Sequence, residues 1–453
     1  MMLSNVIEND FCIGCGNCSI IKPNKYKLDE SRIAVKIIDE YSDSDSLLDK
    51  ICPFSGNSKT EDEINNELYS GLNNYHPDIG YYENVYIGWD NNDENRQQSS
   101  SGGLATYLVN KLLEEHHVEI AILASYSNDS KCDVEYAIYR KQDILSASRQ
   151  SKYKLVSYAM LSEELKTISE SFVFVGIPCH VKSIRLLADT YENIMINLKY
   201  AISVFCGHQK KDHFSKFISW QMGINPSEAK DFKYRVKKAN HKSHEYYYSV
   251  KDSQSKTHEK CVTDLKWLDW GIGLFKHKAC DFCDDVAGET SDIIFGDAWI
   301  KPYTSDYLGT NVAIVRNLEL KKILKESNSN KEITLIPSNI DSIFASQGAN
   351  FRHRKEGLLS RIALYEGDGA WYPNRRKSLF ENHTINDKRD KLYIHRHKLS
   401  MQSNNDFEKA LAENNLNVFY ENLGPLVIEY NKLYSTPKMK LRKMLQKLRS
   451  LIK

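Results

Sequence analysis

The sequence predicts an α/β fold on a parallel or mixed sheet, with α+β as the alternative and a small ligand-organised unit ahead of it. Between about residues 100 and 320, short apolar runs alternate with segments of helical periodicity, a pattern typical of strands connected by helices. Four of the ten cysteines fall within the first 60 residues, which indicates a separate unit there. A chain of 453 residues is also too long for one small domain.

Strands and helices can be assigned from the spacing of apolar side chains. Leu104, Leu108 and Leu112 recur at helical spacing, and residues 171–176 (SFVFVG) form a short apolar run suited to a buried strand. The polar stretch 58–74 is either a linker or a surface helix. The expected helices cover residues 103–115, 181–187 and 212–220, and the expected strands cover residues 119–126, 171–176, 200–205, 291–295 and 311–316.

The composition is that of a soluble globular protein, with 41% hydrophobic and 27% charged residues. A net charge of +1 gives no global field that would attract nucleic acid. No apolar run approaches the ~20 residues of a membrane span, and the acidic N-terminus does not resemble a signal peptide. We therefore expect a cytoplasmic protein whose cysteines are metal ligands or free thiols instead of disulfides.

The C-terminal residues 438–453 form a distinct basic segment. They include seven lysines and arginines and no acid, while Leu441, Leu445, Leu448 and Ile452 recur at helical spacing. This pattern predicts a basic amphipathic helix. Such a helix could make a peripheral contact with an anionic membrane surface, and the alternative is a terminal helix docked on its own protein.

The first cysteine group follows the spacing of bacterial ferredoxins. In the two-cluster ferredoxin run C-x2-C-x2-C-x3-C-P, the fourth cysteine serves the other cluster. Here Lys22 stands at that fourth position, and only Cys-Pro remains of the second run, so the ligands of one cluster are kept and those of the other are lost. Zinc, which usually takes two cysteine pairs, and unpaired thiols are the alternatives. The sequence therefore predicts one [4Fe–4S] cluster held by Cys12, Cys15, Cys18 and Cys52.

A second group combines two single cysteines with a C-x2-C pair. Cys179 and Cys206 each follow a predicted strand, and Cys280 and Cys283 form the pair. Strand ends meet at the carboxyl edge of an open α/β sheet, where ligands bind. From spacing alone a second cluster, a zinc site, and a pair with two buried thiols all stay open. Cys132 and Cys261 have no visible partners.

Other segments offer weaker chemistry. The run SSSGG at 99–103 precedes a predicted helix, where backbone N–H groups and hydroxyls could cradle a phosphate, although a simple N-cap is the alternative. It lacks the endings of a P-loop or a dinucleotide fingerprint. Residues 151–154 (SKYK) offer cations and an aromatic ring, and Asp297 in GDAW would need a partner if buried. Histidines near the cysteines, His180, His208 and His277, are expected to be packing or surface residues.

Taken in order along the chain, these motifs resemble the coenzyme F420 hydrogenase/dehydrogenase beta-subunit family. The resemblance covers about 300 residues and fades after about residue 330. The matching segments are the N-terminal cysteine run, SSSGG at 99–103, QSKY at 150–153, VGIPCH at 175–180, FCGH at 205–208, ACDFC at 279–283, DIIFGDAW at 292–299 and DYLGT at 306–310.

The resemblance implies a flavin, FAD or FMN, beside a [4Fe–4S] cluster, as in the similar plant 7-hydroxymethyl chlorophyll a reductase, which combines a flavin with two clusters. By that analogy Cys179, Cys206, Cys280 and Cys283 become ligands of a second cluster. Lys152 becomes the catalytic candidate, since a cation near the flavin stabilises its reduced anion. The implied flavin-binding residues are Ser100, Ser101, Gly102, Gly103, Ser151 and Tyr153.

The same resemblance sets the expected division of the chain. It comprises a ferredoxin-type unit at 1–60, a flavin-binding part at 80–165, a second part with the later cysteines at 166–330, and a mainly helical region at 331–453. Two departures fall near the implied site: His180 replaces a frequent glutamine, and Gln150 replaces a glycine. The substrate therefore need not be that of a well-known member, and no motif indicates deazaflavin use.

The function expected from these observations is an oxidoreductase that passes electrons between a ferredoxin-like partner and a small organic substrate through clusters and a flavin. Two alternatives remain. One is an electron-transfer subunit without its own substrate, and the other is a non-catalytic zinc-binding scaffold, possible in an assembly held at the inner face of a membrane.

Overall fold

A computed structural model describes residues 2–37, 45–126, 134–140, 149–376 and 387–435. The N-terminal part folds into three short helices around a two-stranded antiparallel hairpin. Its own small core includes Leu3, Tyr26, Leu48 and Ile51, together with Cys18. The elements are α1 (Met2–Glu8), α2 (Asn17–Ile21), β1 (Tyr26–Leu28), β2 (Ala34–Lys36) and α3 (Asp45–Ile51).

A helix joins this unit to the rest of the chain. The polar stretch predicted as a linker or surface helix forms α4 (Glu61–Tyr69), which begins with a capping box between Thr60 and Glu63. Its inner face is anchored, because the Tyr69 hydroxyl donates to Asp292 Oδ1 at 3.1 Å. A second small hairpin follows, with β3 (Asn74–His76) and β4 (Gly80–Tyr82).

Strands and helices alternate through the next segment, as the apolar pattern predicts. Each predicted element in it is confirmed within a few residues. The elements are β5 (Asn84–Asp90), α5 (Asp93–Gln98), α6 (Leu104–Glu114), β6 (Ile120–Tyr126), β7 (Val134–Tyr139), α7 (Ser162–Thr167), β8 (Phe172–Gly176), α8 (Pro178–Ala188), α9 (Glu192–Asn197), β9 (Leu198–Val204) and α10 (His213–Gln221).

The remaining segment adds an antiparallel sheet, three further strands and five helices among the described residues. The three-stranded sheet contains β10 (Lys230–Val236), β11 (Tyr247–Lys251) and β12 (Thr257–Cys261). The others are β13 (Ile293–Asp297), β14 (Asn311–Val315), α11 (Leu318–Ser329), β15 (Ile333–Ser338), α12 (Ile340–Arg354), α13 (Glu356–Gly367), α14 (Asp387–Ala412) and α15 (Leu416–Tyr434).

The central element is an eight-stranded mixed sheet, so the predicted α/β class is confirmed. Its strand order is β15-β5-β14-β13-β9-β8-β6-β7. The neighbours β6/β8, β8/β9 and β9/β13 are parallel, and the other pairs are antiparallel. Every residue of β14 is buried, since helices and loops cover both faces of the sheet.

The start of α8 bears directly on the site. The helix begins at Pro178, three residues before the predicted start, because proline fits the first turn, where its missing N–H has no role. Cys179 therefore lies in the first helical turn, immediately after β8. The strand end and the helix N-terminus together fix the position of this thiol.

The two long C-terminal helices, α14 and α15, pack against each other and against the three-stranded sheet. Phe407 and Phe419 share a core with Phe217, Phe232 and Tyr248. Within the described part of the chain, no helix is long and apolar enough to span a bilayer. The predicted basic helix at 438–453 lies outside the described residues, as does Cys132, and the division of the chain into four parts stays a prediction.

Candidate functional site: two cysteine groups beside one cavity

The first cysteine group is built on two tight turns of the N-terminal unit. Gly14 and Gly16 have φ values of 73° and 101°, in the left-handed region that favours glycine. A Cβ at Gly16 would lie 2.7 Å from the Ala159 side chain, and one at Gly14 would lie 2.3 Å from the Arg32 carbonyl oxygen. A side chain at either position would clash with these neighbours, so both turns require glycine.

These turns bring Cys12, Cys15 and Cys18 close to Cys52, which directly follows α3. Burial raises the pKa of Cys18 well above its usual value, and the charges of Cys12, Cys15 and Cys52 raise it further. Cys12 Sγ accepts hydrogen bonds from the backbone N–H groups of Gly14, at 3.4 Å, and Ala34, at 3.3 Å. The four predicted ligands of the first cluster therefore do lie together.

The second group forms at the carboxyl ends of two neighbouring parallel strands. Cys179 follows β8, and Cys206 lies two residues after β9. Cys280 and Cys283 come from a 3₁₀ turn at Lys278–Asp281 and the residues after it. Burial raises the pKa of Cys179 well above its usual value, and Cys283, Cys206 and Cys280 add to that rise. The sequence prediction that these four cysteines converge is thus matched by the geometry.

A buried arginine at the end of α12 contacts this second group. Arg354 Nη1 contacts Cys283 Sγ and donates to the Asp285 carbonyl oxygen at 2.9 Å. Its Nη2 donates to the carbonyl oxygens of Cys206, at 2.7 Å, and Gly207, at 3.0 Å. Burial disfavours its charge, but the neighbouring thiols raise the pKa of Arg354 above its usual value. One cation therefore holds two arms of the group together.

Hydrogen-bonded side chains lie between the two cysteine groups. The Tyr158 hydroxyl is 2.6 Å from Asn17 Oδ1 and 2.6 Å from Ser183 Oγ. Tyr158 N donates to the Cys15 carbonyl oxygen at 3.3 Å, and Ser183 lies on α8, one turn after Cys179. A short polar chain therefore links the turn of the first group to the helix that carries the second.

Among the described residues, no three His, Cys, Asp or Glu side chains are placed to hold one metal ion. A zinc ion requires four ligands at about 2.0–2.3 Å from one centre. Four cysteine thiolates can hold either a zinc ion or a [4Fe–4S] cluster.

A cavity of about 1060 Å³ opens beside the second group. It is large enough for a cofactor together with a small molecule. Cys206 and His180 form part of its wall, and so do residues of the C-terminal helix α15. Six of the predicted cofactor and catalytic residues line it: Ser100, Ser101, Gly103, Ser151, Lys152 and Tyr153.

Gly102, the remaining predicted residue, lies just behind the cavity wall. A Cβ at this position would stand 2.8 Å from Asn311 N and 3.0 Å from the Gly88 carbonyl oxygen. The loop can approach β5 and β14 this closely only without a side chain. The backbone N–H groups of this loop are thereby held at the N-terminus of α6, a position that favours an anion.

Hydrogen bonds fix the serines of the loop. Ser151 N donates to Ser100 Oγ at 2.6 Å, and the two hydroxyls are 2.9 Å apart. Ser101 Oγ donates to the Thr310 carbonyl oxygen at 3.0 Å. The two predicted segments, SSSGG and SKY, therefore meet at one side of the cavity, which the sequence order alone does not reveal.

Lys152 lines the cavity, and little in its surroundings offsets the cost of burying its positive charge. Burial lowers the pKa of Lys152 to about 8. Its Nζ donates to the Gln150 carbonyl oxygen at 3.1 Å and lies 5.4 Å from the Tyr126 ring centroid. The adjacent Tyr153 packs its ring against Trp270, with centroids 5.0 Å apart, and so fixes the backbone beside Lys152.

Two cationic side chains near the cavity belong to no motif recognised in the sequence. Lys237 Nζ donates to the carbonyl oxygens of Ser101, at 2.8 Å, Arg96 and Leu308, and burial lowers its pKa to about 7. Arg235 forms an ion pair with Asp297 at 2.9 Å, which supplies the partner expected for that carboxylate. Arg235 lies on β10 and Lys237 directly follows this strand, where the alternation of lysine and arginine reads as an exposed strand.

The histidines near the cysteines, predicted to be packing or surface residues, are all buried, and His180 and His208 also line the cavity. His180 Nδ1 lies 3.1 Å from the Tyr136 hydroxyl, and His208 stacks on Trp270 with ring centroids 4.3 Å apart. His277 is fully buried. Cys261, one of the cysteines without a predicted partner, accepts a hydrogen bond from Thr263 Oγ1 at 3.2 Å, away from both groups.

Two known proteins are similar to parts of this chain. A relative, the coenzyme F420-dependent sulfite reductase of Methanocaldococcus jannaschii, is 23% identical over 186 residues, which cover 41% of this chain and only 26% of that protein. A chain of a xenon-derivatised F420-reducing nickel–iron hydrogenase complex from Methanosarcina barkeri superposes with a TM-score of 0.49 at 14% identity, covering 67% of this chain and 99% of that one.

Two sequence profiles match most of the chain between β5 and α12. Residues 85–162 match the profile described as coenzyme F420 hydrogenase/dehydrogenase, beta subunit N-term. Residues 169–340 match the profile described as the C terminus of the same beta subunit. The two stretches follow one another and together cover more than half of the chain. The chain therefore belongs to the coenzyme F420 hydrogenase/dehydrogenase beta-subunit family.

Proposed function

We propose that this chain is an iron–sulfur flavoprotein oxidoreductase that passes electrons between a ferredoxin-like partner and a small organic substrate. The observation that carries the proposal is the placement of the second cysteine group, whose Cys206 forms part of the cavity wall. A redox centre there would be adjacent to whatever binds in the cavity. Family membership supports the broader statement that the chain acts in oxidoreduction or electron transfer.

The cysteine groups suit [4Fe–4S] clusters. The first has the ligand spacing of a ferredoxin, and both combine four thiols with backbone N–H donors to sulfur, such as Gln209 N to Cys280 Sγ at 3.2 Å. Buried thiols of raised pKa would lose their protons on binding iron, because the metal charge stabilises the thiolate. Zinc is the alternative for either group, since four cysteines also bind zinc.

The cavity suits a flavin, either FAD or FMN. The loop at residues 99–103 ends at the N-terminus of α6, which favours a phosphate. The cations Arg149, Lys152 and Arg235 line the same space, with Asp297 paired to Arg235. Its walls include apolar side chains such as Val175 and Phe295, which suit a ring system. Lys152 would stabilise negative charge on the bound cofactor.

The arrangement supports a division of labour. Clusters pass single electrons, whereas a flavin handles one or two and can deliver a hydride equivalent. Two thiols of each group are partly exposed, Cys12 and Cys52 in the first and Cys179 and Cys206 in the second. Because Cys206 lines the cavity, the first group is assigned as the entry point for electrons from a partner protein. Tyr158 and Asn17 are hydrogen-bonded beside the first group.

Coenzyme F420 is the carrier named for the family and for the sulfite reductase relative. We include it among the substrates to be assayed, because the cavity is large enough for a second ring system beside a flavin. The matched stretch spans only about a quarter of that relative, so sulfite reduction itself is a separate question.

The test is the cofactor content of anaerobically purified protein, measured as iron, sulfide, zinc and released flavin per chain. About eight irons and one flavin are expected. About four irons without flavin would favour an electron-transfer subunit, a role that the family description as a beta subunit also supports. Zinc alone, persisting after anaerobic cluster reconstitution, would overturn the proposal in favour of a scaffold.

A further inference from the structure

The two cysteine groups lie in opposite electrostatic surroundings. Burial raises the pKa of Cys12, and the carboxylates of Asp10 and Asp29 raise it further. Burial likewise raises the pKa of Cys52, and the neighbouring thiols and Asp49 raise it further. Of these carboxylates, Asp10 is paired with Lys211 at 3.2 Å, so Asp29 and Asp49 are the ones that would disfavour the addition of an electron at the first group.

The second group instead has a buried guanidinium in contact with it. Arg354 is only 2% exposed, and its polar contacts are one thiol, Cys283 Sγ, and backbone carbonyl oxygens. No carboxylate among the described residues forms an ion pair with Arg354. Its positive charge therefore acts on the cysteines themselves.

Carboxylates near the second group have other cationic partners. Asp281 pairs with Lys276 and lies 3.6 Å from Arg361, and both cations are buried. Asp284 lies 3.2 Å from Arg376. Asp285 Oδ1 accepts a hydrogen bond from Gly288 N at 2.7 Å. Within the described residues, Arg354 contacts a thiol of the second group directly, whereas the buried Lys210 donates to the Leu274 carbonyl oxygen.

The physical consequence concerns the reduction potential. Hydrogen bonds to the sulfur ligands and the net charge nearby set the potential of an iron–sulfur cluster. Reduction makes a cluster more negative, so a buried cation that donates to a ligand sulfur stabilises the reduced state. Carboxylates have the opposite effect. The two surroundings therefore separate the potentials in a definite direction.

We propose that Arg354 makes the second cluster easier to reduce than the first, so that electrons move spontaneously from the Cys12 side toward the cavity. This inference rests on the proposed function, since it requires clusters at both groups. It adds a direction to the electron path and names the residue that sets it. Arg354 is a positioning residue in this role, because it acts through the cysteines.

The test is a redox titration followed by electron paramagnetic resonance, on anaerobic full-length protein. The Cys18→Ser variant, which removes one ligand of the first group, identifies the signal of the second. In the unaltered protein the second signal is expected to appear at the higher potential. In Arg354→Gln its midpoint is expected to shift to lower potential, with the first signal unchanged, and Arg354→Lys is expected to retain part of the difference.

Arg352→Gln is the matched control, because Arg352 is exposed on the same helix. It is expected to leave both midpoints unchanged. Should Arg354→Gln fail to retain its iron, the order of the two midpoints in the unaltered protein still decides the question. A lower potential for the second cluster, or an unshifted midpoint in an iron-replete Arg354→Gln protein, overturns the inference. Absence of iron from the second group overturns the proposed function instead.

Discussion

The hydroxyl of Tyr158 donates a hydrogen bond to Asn17 Oδ1 at 2.6 Å, and so joins a residue after β7 to the turn that carries Cys15 and Cys18. Ser183 Oγ lies 2.6 Å from the same hydroxyl. All three side chains are buried. This contact fixes the N-terminal unit to the sheet domain at the point where the two cysteine groups approach each other.

Tyr158→Phe should therefore destabilise the protein without changing its iron content. The substitution leaves the buried Asn17 Oδ1 without this donor, which costs about 1–3 kcal/mol of the free energy of unfolding. Urea unfolding of the anaerobic protein measures it. Tyr75→Phe, at a side chain that is 60% exposed, is the control and should change nothing. Equal unfolding free energies for the Tyr158 variant and the unaltered protein would contradict the interpretation.

Single cysteine substitutions should remove the clusters independently. Cys18→Ser and Cys280→Ser are each expected to lose about four of eight irons, because under the proposed function each group holds its own [4Fe–4S] cluster. Iron and sulfide analysis of the anaerobic proteins measures the loss. Cys261→Ser is the control, because Cys261 contacts Thr263 and lies in neither group. Full iron in the Cys280 variant would exclude the assignment of the second group.

Gly102→Ala should weaken flavin binding strongly. A Cβ there would meet backbone atoms of β5 and β14 at 2.8–3.0 Å, so the loop before α6 must move away from its position. We expect at least a tenfold loss of affinity, which corresponds to about 1.4 kcal/mol. Fluorescence titration of flavin-free protein measures it. Gly71→Ala is matched to it, since a Cβ at Gly71 meets nothing within 4 Å.

Lys152→Met should stabilise the flavin-free protein in a pH-dependent way. Because burial lowers the pKa of Lys152 to about 8, the folded chain loses this proton at a lower pH than the unfolded chain, whose lysine pKa is about 10.4. Between those values the unfolded state binds more protons, so the stability of the unaltered protein rises with pH. The advantage of the variant should therefore be largest below about pH 8 and shrink above it.

Urea unfolding from about pH 7 to about pH 10 measures this difference. Lys199→Met, at an exposed lysine of β9, serves as the control and should give a small difference that does not vary with pH. A stability difference at Lys152 that stays constant across the range would contradict the burial of its charge.

The elements predicted from the sequence are those whose pattern is local. The strands at β8 and β13 have apolar runs, and α6 has apolar residues at helical spacing, so each was located within a few residues. The convergence of Cys179 and Cys206 also followed, because neighbouring parallel strands end at one edge.

The rest of the site depends on contacts between distant segments. Strand β15 pairs with β5, about 240 residues earlier, and no local pattern predicts that neighbour. Arg354 lies in the run RHRK, which reads as a solvated helix end, yet tertiary packing buries it against the cysteines. Lys237 was missed for the same reason, since its three carbonyl partners come from separate loops and a helix end.

The wall of the cavity has two origins along the chain. Most of it comes from the stretch shared with the family, whereas Val427, Tyr430 and Asn431 come from α15, beyond the last residue of the family match. A change in this helix would alter the shape offered to a substrate and leave both cysteine groups in place. Exchange of the paired helices α14 and α15 would therefore give new substrate specificities, in evolution or by engineering, without altering the part of the chain that carries the cysteine groups.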